Sequence, residues 1–168
     1  MSGRKPKSPT PGRQETVQVA SAPVEKRGTH IYWIVTLLSL VGLADSIYLT
    51  VKHLTGGIVP CTVTGSCEQV LNSSYATVAG FPLAGIGALA YFSVFSLSIL
   101  AIFGNHGARK LLFYIVALMF AVSIYLFILQ AFVIHAFCQY CLLSAAITLL
   151  LMLLVSLDKF YFSKQAAR

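Results

Sequence analysis

Four long apolar stretches dominate this chain, running approximately from Ile31 to Val51, Phe81 to Phe103, Leu111 to Ile134 and Cys138 to Leu157. A helix of about 20 consecutive apolar residues is long enough to cross the hydrocarbon core of a bilayer. The last three stretches hold no Asp, Glu, Lys or Arg, and the first holds only Asp45. A soluble helical core needs helices with a polar face, and these have none. Composition agrees: 57% of residues are hydrophobic and 10% charged, against roughly 25% charged in an ordinary soluble domain. The expected fold class is an all-α membrane protein with a four-helix transmembrane bundle.

A net charge of +7 could suggest a nucleic-acid partner, but its distribution reports topology instead. Arg4, Lys5, Lys7, Arg13, Lys26 and Arg27 precede the first span. Arg109 and Lys110 lie between the second and third, and Lys159, Lys164 and Arg168 follow the fourth. Only Lys52, of twelve basic residues, falls in a segment of opposite parity. By the positive-inside rule both termini are cytoplasmic, and no nucleic-acid partner is expected. Residues 1–29, rich in Pro and basic residues without apolar periodicity, read as a disordered tail. They lack the early apolar core of a cleavable signal peptide. Residues 30–158 form the membrane domain and 159–168 a short cytoplasmic tail.

The four cysteines fall in two close pairs, Cys61 with Cys67 and Cys138 with Cys141. The same topology places the 52–80 loop and the His135-Ala136-Phe137 turn on the outer side. Both pairs are then on or beside the oxidising face, where disulfides form and persist. Gly56-Gly57 and Pro60 break the first span before Cys61. From Cys67, the positions of Val70, Leu71, Ser74, Tyr75 and Val78 trace one face of a helix of about three turns. Such a helix is too short to span and is expected to lie along the interface. Cys67 is on its apolar stripe, and Cys61 is in a Gly/Thr-rich stretch expected to be open to water.

C-x-x-C binds metal or cycles as a redox dithiol. A zinc cage wants two such pairs. Here the second pair is C-x5-C on an oxidising face, so no metal is expected. Two static bridges in a non-enzymatic four-span protein are the alternative. A C-x-x-C bridge closes too short a loop to restrain the unfolded chain much, which favours reactivity. Cys138 and Cys141 occupy the start of the fourth helix, where free N–H groups and the helix dipole favour a thiolate, most of all at Cys138. Exchange between the pairs needs an attacking thiolate, a disulfide and access. With no haem, flavin or dinucleotide motif in the chain, a lipid-soluble quinone is the natural electron acceptor.

These residues together resemble the vitamin K epoxide reductase family. The resemblance rests on the C-x5-C loop pair, the run Cys-Glu-Gln-Val-Leu-Asn-Ser-Ser-Tyr-Ala from Cys67, the Gly-Phe-Pro start of the second span and the C-x-x-C opening the fourth. It covers roughly residues 30–158. It implies a four-helix bundle around a quinone of menaquinone, ubiquinone or phylloquinone type, capped by the interfacial helix. It implies that Cys138–Cys141 is the active-site pair, with Cys141 facing the quinone and Ser73 and Leu71 beside it. Cys61–Cys67 becomes a shuttle pair, Cys67 exchanging with Cys138 and Cys61 meeting an external thioredoxin-fold partner. Helical projection puts Ser73 off the Cys67 stripe, so its role rests on the resemblance. Many bacterial members carry a fused thioredoxin-like domain after the fourth helix. This chain ends without one, so a separate protein is expected as reductant. The implied activity is quinone-dependent thiol–disulfide oxidation in a plasma (inner) membrane, with reduction of a quinone epoxide as the variant chemistry.

Several other residues invite a role. Asp45 is placed to accept a hydrogen bond or relay a quinone proton, or else to reach the wet interface or pair with Ser46 or Lys52. His135 is either a proton source for Cys138 or a solvated turn residue. Gln130 suits a bond to a neighbouring helix or to a quinone carbonyl. Trp33, Phe137 and Tyr140 fit the interfacial aromatic belt. Ala84, Gly85, Gly87 and Ala88 permit close helix packing.

Overall fold

A computed structural model describes residues 26–61, 67–73, 75–78 and 80–166. Most of the expected N-terminal tail, residues 1–25, lies outside the described residues, as does Ser74. Helices α1 (Lys26–Thr55), α3 (Leu83–Ile102), α4 (His106–Ile128) and α5 (Gln139–Ala166) form the bundle. Four segments are long and apolar enough to cross a membrane: His30–Thr55, Leu83–Ile102, His106–Ile134 and Gln139–Phe160. Helix α1 packs on α3 and α5, and α4 packs on the same two helices. The core between them is built from Tyr32, Val35, Tyr91, Val94, Leu112, Val116, Ile147 and Leu151, among others. The outward faces carry large apolar side chains such as Leu37, Leu89, Tyr114 and Leu153. An exterior of that kind suits lipid rather than water.

Local chemistry sets the helix ends. Helix α1 stops at Thr55 because Gly56 takes a left-handed conformation (φ 64°). The Gly57 N–H then turns back to the Lys52 carbonyl at 3.0 Å, a glycine C-cap. Helix α4 begins at His106, five residues before the apolar stretch at Leu111. The Asn105 side chain accepts from the N–H groups of Gly107 (2.9 Å) and Ala108 (3.2 Å), which satisfies two of the orphan donors of the first turn. Helices α1 and α3 come close at Gly42. A Cβ built there would lie 2.3 Å from the Tyr91 ring, so only glycine leaves room for that tyrosine.

The loop helix differs from expectation. Instead of about three turns it is α2 (Cys67–Leu71), five residues long. The Ser73 hydroxyl donates to the Val70 carbonyl at 2.7 Å, and such side-chain bonds compete with helical continuation. The chain then pairs β1 (Thr77–Val78) antiparallel with β2 (Phe81–Pro82), around Gly80 in a left-handed conformation (φ 85°).

The end of the bundle that carries Arg109 and Lys159 is knit by polar contacts. The Tyr32 hydroxyl donates to the Asp158 carboxylate, joining α1 to α5. The Arg109 guanidinium lies 5.3 Å from the Tyr32 ring centre, and the Lys159 ammonium 3.8 Å from that of Phe113. All four cysteines are at the opposite end.

Candidate active site

The C-x-x-C segment is shaped by an irregularity at the end of α4. That helix continues as one wide π turn, Leu129–Ile134, and ends at His135 in a left-handed conformation (φ 53°). π turns of this kind frequently mark functional sites. The Ala136 N–H bonds back to the Gln130 carbonyl at 3.2 Å. The buried Gln130 side chain reaches across the turn, where its Oε1 accepts the Cys138 N–H at 3.0 Å.

Cys138 is the N-cap of α5. Its carbonyl accepts the helical bond from the Leu142 N–H at 3.0 Å, and Gln139 is the first helical residue. An N-cap side chain faces the N–H groups two and three residues on, here those of Tyr140 and Cys141. The Cys138 thiol, just outside the span, is lowered from 9.0 to about 7. The hydrogen bond from the Cys141 thiol is the largest cause, and the Cys141 and Tyr140 N–H groups add to it against the opposing effect of burial. Cys138 and Cys141 are free thiols.

The loop pair is bridged: Cys61 and Cys67 form a disulfide with a Cα–Cα distance of 6.0 Å. Cys67 opens α2 and is buried in one cluster with Leu49, Val59, Val70, Ala136 and Cys138. Cys67 of the loop pair and Cys138 of the C-x-x-C are thus buried together at the end of the bundle. Cys61 is less open to water than its polar neighbours suggested. It is half-buried against the same cluster, because the segment before it is held down. Val59 is buried, and the Tyr140 hydroxyl donates to the Pro60 carbonyl at 3.3 Å. The Tyr140 ring in turn packs on Tyr48 with centres 5.5 Å apart.

Beneath these cysteines lies a cavity of about 270 Å³. All four bundle helices contribute to its wall, and residues from α2 to β2 close it. Cys141, Leu71 and Ser73 all line it, as do Asp45, Gln130 and Tyr91. Ser73 reaches the wall because the chain leaves the helix at Leu71, which voids the helical projection. The Tyr91 hydroxyl crosses from α3 to meet the Ser144 Oγ at 2.8 Å. The rest of the wall is mainly aliphatic, with Leu49, Val70, Leu118, Met119 and Val122. The volume is at the small end of ligand pockets and suits a flat ring whose apolar tail extends between helices. One polar atom in the wall lacks a partner among the described residues, the buried Asp45 Oδ2. An apolar slot with one unmatched carboxyl oxygen and a thiol in its wall fits a quinone ring.

Two contributions were not legible from sequence. Tyr140, expected only in the aromatic belt, ties the Cys61 segment to the C-x-x-C helix. The only available signal was its place between the two cysteines. Gln130 does bond a neighbouring helix, but at its end: its oxygen holds the backbone N–H of Cys138, the N-cap of α5. His135 is exposed and forms the turn, while Trp33 and Phe137 are exposed on the bundle surface.

The model of the vitamin K epoxide reductase family matches residues 33–156. Thiol-disulfide oxidoreductase LTO1 of Arabidopsis thaliana is 38% identical over 112 residues, a match covering 61% of this chain and 30% of that protein. The chain therefore spans less than a third of the length of that relative.

Proposed function

The chain belongs to the vitamin K epoxide reductase family, and from that membership we propose that it is a membrane thiol–disulfide oxidoreductase that oxidises an external thioredoxin-fold protein and passes the electrons to a quinone. The observation that carries this reading is the burial of Cys67 and Cys138 in one cluster, directly above a cavity lined by Cys141.

The chemistry follows from the thiols. A partner dithiol reduces the Cys61–Cys67 bridge, and Cys61, the less buried sulfur, receives its attack. The freed Cys67 thiolate attacks Cys138 of an oxidised Cys138–Cys141 pair, forming a Cys67–Cys138 bond and releasing Cys141. Cys61 then attacks Cys67, re-forms the loop bridge and expels Cys138. Low thiol pKa makes a good leaving group, and Cys138 is the thiol lowered to about 7. Two electrons have then moved inward, leaving the loop pair bridged and the helix pair as free thiols.

A bound quinone supplies a two-electron, two-proton acceptor. Cys141, Leu71 and Ser73 would hold it from the cysteine side. The aliphatic wall excludes water that would otherwise open the thiols to side reactions. Basic residues at the far end of the bundle support an orientation with the cysteines on the outer face, where a disulfide donor is found. The net outcome is disulfide formation in exported proteins.

Quinone reduction by the purified chain with a thioredoxin-like donor is the test. Cys138→Ala and Cys141→Ala abolish turnover, and near wild-type rates in either variant would overturn the mechanism. Cys61→Ala blocks the protein donor but tolerates a small dithiol. Equal loss with both donors would overturn the shuttle role.

A further inference from the structure

Two acidic residues lie within the spanning segments, and their situations differ. Asp158, at the basic end, accepts a hydrogen bond from Tyr32. Asp45 lines the cavity, and its buried Oδ2 has no hydrogen-bond partner among the described residues. Buried polar atoms left unmatched in native structures call for an explanation, and acids within spans mark functional sites by default.

The proton count supplies one. Reducing a quinone to a hydroquinone takes two electrons and two protons. The Cys138/Cys141 pair yields two electrons as its disulfide forms. In the thiol exchange above Cys138 is expelled as a thiolate, which the Cys141 thiol hydrogen-bonds, so the pair brings one proton, that of Cys141. The second must come from elsewhere in the wall. Among the described residues, no Lys or Arg lines the cavity. On α3 the titratable group is Tyr91, committed to Ser144; on α5 it is Cys141, already counted. Helix α4 contributes none among the described residues, the loop contributes Tyr75, and α1 contributes His53 in addition to Asp45. Asp45, Leu49 and His53 all line the cavity along one stripe of α1, and eight residues of helix put His53 about 12 Å toward the outer end.

We propose that Asp45 is the proton donor of this cavity, delivering one proton to a quinone oxygen. The step balances. Cys138 thiolate, Cys141 thiol, Asp45 carboxylic acid and quinone become the Cys138–Cys141 disulfide, Asp45 carboxylate and hydroquinone. The sulfurs are oxidised, the quinone is reduced, and one proton comes from each of Cys141 and Asp45. The proposal rests on the quinone reading above.

Asp45 and Asp158 are the only aspartates in the chain, so isotope labelling of aspartate carboxyls isolates two vibrational signals, and Asp158→Asn assigns them. Binding of menadione to the full chain shifts the Asp45 carboxyl band and leaves that of Asp158 in place. Asp45→Asn is compared with the wild type at saturating menadione, its occupancy read by fluorescence quenching. It slows single-turnover oxidation of the Cys138/Cys141 dithiol by about 10²-fold or more, the scale of a lost general acid, and Asp45→Glu restores part of the rate. An unmoved Asp45 band, or wild-type rates in Asp45→Asn, overturns the proposal while the quinone reading stands. A wild-type chain that binds menadione but never reduces it overturns the quinone reading instead. If Asp45→Asn does not fold, the wild-type band shift and the Asp45→Glu rate decide.

Discussion

The side-chain oxygen of Gln130 accepts the backbone N–H of Cys138 at 3.0 Å. This bond joins the π turn at the end of α4 to the N-cap of α5, and both groups are buried. Losing the acceptor leaves a buried N–H unmatched, at a cost of about 1–3 kcal/mol. Gln130→Met, close in shape but without the acceptor, is expected to lower thermal stability and shift the alkylation midpoint of Cys138 upward as its cap geometry relaxes. Gln130→Glu keeps an acceptor and retains more of the stability. Thermal unfolding together with an alkylation pH profile checks both.

The Cys138 thiol has its own pH signature. Its pKa is lowered to about 7, chiefly by the hydrogen bond from Cys141, so the thiolate prevails above that pH and is lost below it. Cys138 is buried, so iodoacetamide reaches it slowly, and with the loop pair bridged its alkylation rate should rise with a midpoint near 7. In Cys141→Ala the largest lowering cause is gone, and the midpoint moves up toward the ordinary thiol value. Mass-resolved alkylation rates across the pH range are the check.

Tyr140 holds the segment before Cys61 through its bond to the Pro60 carbonyl. Tyr140→Phe removes that bond, worth about 0.5–1.5 kcal/mol, and keeps the ring on Tyr48. The Cys61 segment is then held less firmly. We expect turnover with the protein donor to fall, while reduction of Cys138–Cys141 by a small dithiol proceeds at the wild-type rate. Paired kinetics with the two donors measure the difference.

Gly42 faces the Tyr91 ring with no room for a methyl group, a built Cβ lying 2.3 Å from Cε1. Gly42→Ala forces the ring or the helices apart, and overpacking of this kind costs about 1–3 kcal/mol. Because the Tyr91 hydroxyl also meets Ser144 at the cavity wall, menadione binding should weaken along with thermal stability. Gly87→Ala is the control for thermal stability: its Cβ would meet the Ser46 hydroxyl at 3.4 Å, a milder contact.

Spans and break points were legible in the linear chain because each depends on local composition, and the two close cysteine pairs were visible there as spacings. Apolar length alone dictates a spanning helix. Gly56-Gly57 ends α1 wherever it is placed, and a cysteine at a helix start meets unpaired N–H groups in any fold. The resemblance carried by the four cysteines and the run after Cys67 then named the family that the comparison found. Folding in three dimensions settled matters that turn on distant partners. The loop helix stopped at Leu71 because Ser73 bonds back to Val70, and that stop brought Ser73 to the cavity. Tyr140 and Pro60 are eighty residues apart, and no periodicity reports their bond. Gln130 meets Cys138 only because the π turn and the left-handed His135 reverse the chain between them. Asp45 was visible as a lone acid in an apolar stretch. That its oxygen lacks a partner while that of Asp158 has one follows from which helices pack against each, a property of the bundle and not of either segment.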